Sequence, residues 1–199
     1  MTVKDDNGDL WVFAYGSLMW RPGFPHAERH AARLAGFHRS LCLYSYGYRG
    51  TPDKPGLVLG LDRGGSCVGV AFRIVASDRA ATLAYLAWRE GTEVYNEILV
   101  KVALIDGRRV PALAYVVKRS HPHYAGRLPR QALLDHALQG HGDKGSCRDY
   151  VISTHAHLVG LGVRDSNLAW LAEQLGMHAE ALHPHAHVNM AREVETAIH

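Results

Sequence analysis

Residues 79–118 read RAATLAYLAWREGTEVYNEILVKVALIDGRRVPALAYVVK, and their order decides how helix and strand are combined in this chain. The first twelve put Leu83, Leu86 and Ala87 on one helical stripe, which Gly91 ends. Ser77-Asp78 supplies N-cap chemistry in front of it, a hydroxyl followed by a carboxylate for the first turn. Two β-rich runs follow, Glu93–Ile105 and Val110–Lys118, joined by the hairpin signal Asp106-Gly107-Arg108-Arg109. Upstream, Trp11–Tyr15 reads as a short buried strand stopped by Gly16. The runs Ser40–Ser45, Leu57–Leu61 and Cys67–Val75 read as short strands, with Gly47, Gly50, Pro52, Pro55, Gly56 and the Gly64-Gly65 pair as punctuation. Downstream, Pro129 is expected as the first residue of a helix to about Gly140, and Cys147–Gly160 and Ser166–Leu175 as two more. Strands first, one embedded helix, helices last: the pattern predicts an α+β fold, a curled, mostly antiparallel sheet or small barrel with a C-terminal helical part, rather than a doubly wound parallel sheet.

The chain has 199 residues, 47% hydrophobic and 21% charged, which suits one soluble globular domain over 1–199 with a His-rich tail from about residue 177. The formal net charge is +3 and the basic residues are scattered, so no nucleic-acid tract is expected. Fourteen His add positive charge in mild acid, as pH falls through their ordinary pKa of ~6.5. Cys42, Cys67 and Cys147 form no CxxC pair and suit a reducing cytosol. The opening MTVKDDNGDL has no apolar signal core, and no apolar run is long enough to span a membrane, so a cytoplasmic location is expected. His121-Pro122-His123 and the His183–His187 run match no HExxH or Cys/His ligand framework, and no metal site is expected. Neither a dinucleotide fingerprint, a P-loop nor a G-x-S-x-G elbow is present, so no cofactor and no enzymic nucleophile are expected.

Two places remain for chemistry. Tyr15-Gly16-Ser17-Leu18 closes the first strand, where glycine lets a ligand approach the backbone and successive N–H groups can hold an anion; an ordinary strand-ending turn fits the same four residues. Glu90 continues the stripe of Leu83, Leu86 and Ala87 at the helix end, where burial and the helix dipole both raise a carboxyl pKa toward general-base duty. The alternative is an exposed helix end with Glu90 paired to Arg89. Glu93 falls in a turn. Glu97 shares a strand face with Tyr95 and Lys101, opposite Ile98, Val100, Val102 and Leu104, and is expected in solvent.

Phe13-Ala14-Tyr15-Gly16-Ser17-Leu18-Met19-Trp20-Arg21-Pro22 resembles the signature loop F-G-Y-G-S-L-x-W-R-P of the ChaC-like γ-glutamylcyclotransferases. Arg49-Gly50-Thr51 with Pro55-Gly56, Leu86-Ala87-Trp88-Arg89-Glu90, Ala112-Leu113-Ala114-Tyr115-Val116 and Tyr124-Ala125-Gly126 are similar to that family's further segments, in order, over about Trp11 to Tyr150. Ala14 stands where the family has glycine, and residues 91–95 depart from its pattern. The resemblance implies a γ-glutamylcyclotransferase-like fold that cleaves glutathione to 5-oxoproline and cysteinylglycine without cofactor or metal. It implies Glu90 as proton acceptor and a substrate site at Tyr15, Gly16, Ser17 and Leu18, with Phe13, Arg49 and Tyr115 as further substrate-binding candidates and Arg21 as a lesser one. A small molecule is then the expected partner, with neither nucleic acid nor membrane. Two alternatives stay open: the same chemistry on other γ-glutamyl amines or dipeptides, or a catalytically silent binding protein linked to cation transport.

Overall fold

A computed structural model describes residues 8–91 and 93–182. Five strands close a barrel in the order β1-β3-β2-β4-β5, with β1 at Leu10–Ala14, β2 at Glu28–Ser45, β3 at Gly56–Ile74, β4 at Tyr95–Leu104 and β5 at Arg109–Val117. All neighbours are antiparallel except the closing pair, where β1 meets β5 in parallel with Val12 opposite Leu113. The helix α1, Arg79–Glu90, is embedded between β3 and β4, and α2 at Arg130–Gln139, α3 at Cys147–Gly160 and α4 at Ser166–Leu182 follow the barrel. The α+β expectation therefore holds, as does the embedded helix.

Alternation along the strands sorts side chains to two faces. Trp11, Phe13, Leu34, Leu61, Val102 and Ala114 meet inside the barrel. Val12, Ala14, Leu57, Phe72, Leu113 and Tyr115 point the other way, and Leu86 of α1, Leu134 of α2, Val151 of α3 and Leu171 of α4 bury against them. Barrel and helices thus share one continuous apolar cluster.

Several local expectations need correction. The three short strands between 40 and 75 are parts of two long ones that pair from Glu28↔Arg73 to Ser45↔Gly56. Gly64-Gly65 does not end a strand: with Gly36 opposite, it forms a bulge in which all three glycines have positive φ, 83° at Gly36, 103° at Gly64 and 68° at Gly65. The bend lets the long hairpin curl into the barrel. Ahead of α1, Ala76–Asp78 form a 3-10 turn, and Asp78 makes no side-chain cap bond. Pro129 is the N-cap of α2, one residue before the position expected. A two-strand ribbon, β6 at His141–Gly142 and β7 at Gly145–Ser146, links α2 to α3 and carried no sequence signal. The α4 helix runs seven residues beyond Leu175, to Leu182; the rest of the His-rich tail lies outside the described residues.

Candidate active site

The site forms where β1 leaves the barrel and α1 ends. After Ala14 the chain turns through a 3-10 segment, Ser17–Met19, whose bonds are donated by Met19 to the Gly16 carbonyl at 2.9 Å and by Trp20 and Arg21 to that of Ser17 at 3.3 and 2.9 Å. Those donors lie in the second half of the turn, so its leading amides are not used by the turn itself. A Cβ added at Gly16 would meet nothing closer than the Leu59 Cδ1 at 3.9 Å. The protein's own packing does not require glycine there, and open space faces the backbone.

The helix α1 delivers Glu90 to this loop. Thr82 and Leu86 are buried, the stripe ends on Glu90, and the Glu90 side chain is 18% exposed. Burial raises its pKa, and the Arg89 guanidinium, with Nε 3.5 Å from Oε1, works in the opposite direction. The two readings of Glu90 are therefore both partly right: the carboxyl is tucked in, and it is paired. Arg89 also joins the acid to the loop, because its Nη2 donates to Ser17 Oγ at 3.0 Å and its Nη1 to the Arg21 carbonyl at 2.7 Å and the Tyr85 hydroxyl at 2.8 Å. One guanidinium thus bridges Ser17 and Glu90. Sequence reasoning treated Arg89 only as a possible partner at a helix end.

Four phenols lie within the electrostatic reach of the carboxyl. The negative charge of Glu90 acts on Tyr15, Tyr95, Tyr115 and Tyr150, and burial is the leading cause of the raised pKa of each, to about 12 for Tyr150. The Tyr95 hydroxyl donates to the Leu59 carbonyl at 3.3 Å. The Leu59 N–H in turn donates to the Tyr150 hydroxyl at 3.2 Å. Both polar groups of one β3 residue are therefore held by phenols of the site. Tyr115 donates to Glu97 Oε1 at 2.9 Å, so Glu97, though exposed as expected, has a partner at the rim.

The remaining candidates separate. Phe13 lies in the barrel interior, packed beside Gly69, and contributes to the scaffold. The Leu18 side chain is buried in the cluster under the helices, so only its backbone belongs to the loop. Arg49 donates to the carbonyls of Lys144 and Ser146 and lies over the Tyr150 ring at 5.1 Å, which makes it a support behind a site tyrosine. The Arg21 side chain is exposed. Tyr95 and Tyr150 were missed. Tyr95 shares a strand face with Glu97 and Lys101, opposite the apolar face of Ile98, Val100, Val102 and Leu104, and nothing local marks Tyr150 on α3. Cys42, Cys67 and Cys147 are free and buried, and burial raises the thiol pKa of each, to about 12 for Cys42. Among the described residues, no group of three or more His, Cys, Asp or Glu is placed to hold a metal ion. No helix among them is long and apolar enough to cross a membrane.

Residues 10–177 match the family model described as ChaC-like protein. The chain is 33% identical over 169 residues to the glutathione-specific γ-glutamylcyclotransferase of Escherichia coli (strain K12), covering 84% of this chain and 73% of that one. It is 32% identical over 176 residues to γ-glutamylcyclotransferase 2-3 of Arabidopsis thaliana, covering 83% and 88% of the two chains. Its fold is similar to the crystal structure of a yeast γ-glutamylcyclotransferase specific to glutathione, with a TM-score of 0.77 at 21% identity, over 85% of this chain and 96% of that one.

Proposed function

Since the chain belongs to the ChaC-like family, we propose that it is a γ-glutamylcyclotransferase that cleaves glutathione to 5-oxoproline and cysteinylglycine. In that reaction the glutamyl α-amine attacks its own γ-carbonyl carbon, the new C–N bond closes a five-membered lactam, and the bond to the cysteinyl nitrogen breaks. Nucleophile and electrophile belong to one molecule. The protein has only to fold the glutamyl group into a near-attack conformer and to carry protons from the glutamyl nitrogen to the cysteinyl nitrogen.

The residues around Glu90 suit that task. Glu90 takes a proton from the α-ammonium, which frees the attacking lone pair, and passes it to the departing cysteinyl nitrogen; the second proton, released as the lactam N–H forms, ends on the same nitrogen, so no net proton is exchanged. A raised carboxyl pKa narrows the gap to the amine and favours transfer in both directions. The leading amides of Gly16, Ser17 and Leu18 hold the glutamyl carboxylate or the tetrahedral oxyanion, and the phenols of Tyr15, Tyr95 and Tyr150 wall the pocket with hydrogen-bonding groups that stay protonated. No nucleophilic side chain is needed, in keeping with buried thiols whose pKa is pushed up.

The observation that carries this reading is a mostly buried carboxylate tied to the loop by one guanidinium, Glu90 to Arg89 to Ser17. Incubating purified protein with glutathione and measuring 5-oxoproline by mass spectrometry tests it, with γ-glutamylalanine as the competing substrate. Equimolar 5-oxoproline and cysteinylglycine is the expected result. Preference for γ-glutamylalanine would remove glutathione as the substrate, and glutathione binding without product would return the chain to a silent binding protein.

A further inference from the structure

Arg39 of β2 lies outside the site described above and is nearly enclosed, its side chain 4% exposed. Its Nε donates to the Tyr15 carbonyl at 2.5 Å, its Nη2 donates to the Val68 carbonyl at 2.8 Å and lies 3.8 Å from the Met19 sulfur. Its Nη1 is 3.7 Å from an Asp165 carboxylate oxygen in the α3–α4 connection. The places of these bonds are informative. The β1–β3 ladder ends at Ala14↔Val70, so the carbonyls of Tyr15 and Val68 stand just past its last pair, one on each strand. The strands approach closely there, because a Cβ on Gly69 would sit 2.2 Å from the Ala14 carbonyl oxygen. A planar, forked guanidinium can span two such carbonyls, whereas an ammonium is a single compact donor group.

Burying a cation is costly unless it is well paired, and the Asp165 carboxylate facing Arg39 stands beyond hydrogen-bond distance. Net stabilisation is a poor reason for the residue. Geometry supplies a better one. The Tyr15 carbonyl and the Gly16 N–H belong to one planar trans peptide and point in opposite directions, so a clamp on the oxygen sets the direction of the amide. We infer that Arg39 is a positioning residue: by gripping the Tyr15 carbonyl it aims the Gly16 amide at the carboxylate of the bound γ-glutamyl group, and Asp165 holds the guanidinium in place. The inference rests on the functional reading above and deepens it. It also gives the C-terminal helices a task at the substrate loop, because Asp165 Oδ1 accepts from the Leu168 N–H at 3.1 Å and so starts α4 while its other oxygen faces Arg39.

Arg39→Lys tests the assignment, with Arg33→Gln as control; Arg33 is exposed, bonded to Ser66 Oγ at 3.0 Å, and does not touch the loop. The lysine variant is expected to raise KM for glutathione by about ten-fold, with kcat per folded enzyme within about two-fold and the acid limb of the kcat profile unmoved. A residue that only stabilised the fold would lower the active fraction, hence apparent kcat, and leave KM alone. The Gly16 amide resonance in substrate-free protein is a readout independent of turnover, expected to shift in Arg39→Lys and not in Arg33→Gln. Unchanged KM in folded Arg39→Lys overturns the assignment. Should that variant not fold, Asp165→Asn replaces it: the amide oxygen keeps the cap, KM is expected to rise about three-fold, and an unchanged KM is again fatal. If the wild type forms no 5-oxoproline while the Gly16 resonance still moves, the functional reading fails and the clamp on the loop survives.

Discussion

Glu90→Gln removes a proton acceptor while keeping size and hydrogen-bonding shape. Turnover is expected to fall by about 10²-fold or more with KM little changed, measured as 5-oxoproline release. The same substitution has a signed effect on stability. The Glu90 pKa is raised from 4.5 in the fold, so between 4.5 and the folded value the native state binds more protons than the unfolded chain, and stability declines as pH rises across that window. At neutral pH the charged carboxylate is therefore a burden, and Glu90→Gln should melt at or above the wild-type temperature; a clearly lower Tm at pH 7 would contradict its burial. This position was legible in the sequence because a carboxylate at i+7 on an apolar stripe breaks the pattern visibly. Tyr95 was not, because a two-residue period distinguishes faces without saying what covers them. Here α1 and α3 bring Glu90 and Tyr150 over the face that alternation assigned to water.

Among the elements, the loop between β2 and β3 closes on itself at Gly56 and meets the β6–β7 ribbon backbone to backbone, with the Asp143 and Lys144 N–H groups donating to the carbonyls of Gly47 and Tyr48. A Cβ on Gly56 would fall 2.0 Å from the Arg49 carbonyl oxygen, and one on Gly142 would fall 2.0 Å from that of Gly47. Backbone cannot swing aside as a side-chain tip can. Gly56→Ala should lose about 1–3 kcal/mol in urea unfolding and lower activity too, since Arg49 backs Tyr150. Gly160→Ala, at the end of α3 with nothing within 4 Å of its Cβ, should be neutral or stabilising by up to about 1 kcal/mol. The bounds of α1 and α3 were readable to the residue, since each begins after a turn or cap and has its own apolar spacing. The long hairpin was not. Its glycines look like turn residues in sequence, and only the partner strand shows that Gly36, Gly64 and Gly65 share one bulge.

Across the whole molecule, ion pairs gather around Trp11 at one end of the barrel, with Arg108 over its ring at 5.6 Å and Arg73 opposite it across the strands. Arg73 bonds Asp9 and Glu28, and Arg108 bonds Glu28 and Asp106. Hydrogen bonds from Arg108, His30 and Arg73 hold the Glu28 pKa down at about 2. A depressed carboxyl pKa contributes stability that is fully present above its unfolded value of 4.5 and is lost as pH falls toward 2, opposite in sign to the effect of Glu90. Urea midpoints measured from pH 5 to 2 should fall steeply for the wild type and less for Glu28→Gln. The α+β class and the choice of curled sheet or small barrel were readable from element order and turns, yet the closing partner was not, because no local residue pattern tells β1 that its second neighbour is β5, a hundred residues away.

That parallel seam between Val12 and Leu113 sets an order of events at the ribosome. A nascent chain holds both the glycine loop and its carboxylate once residue 90 has been made, but one edge of β1 stays unpaired until β5 emerges. Catalytic competence should therefore arrive late and all at once, and translation stalled within β4 should yield a polypeptide that carries the reacting groups on an open, aggregation-prone sheet.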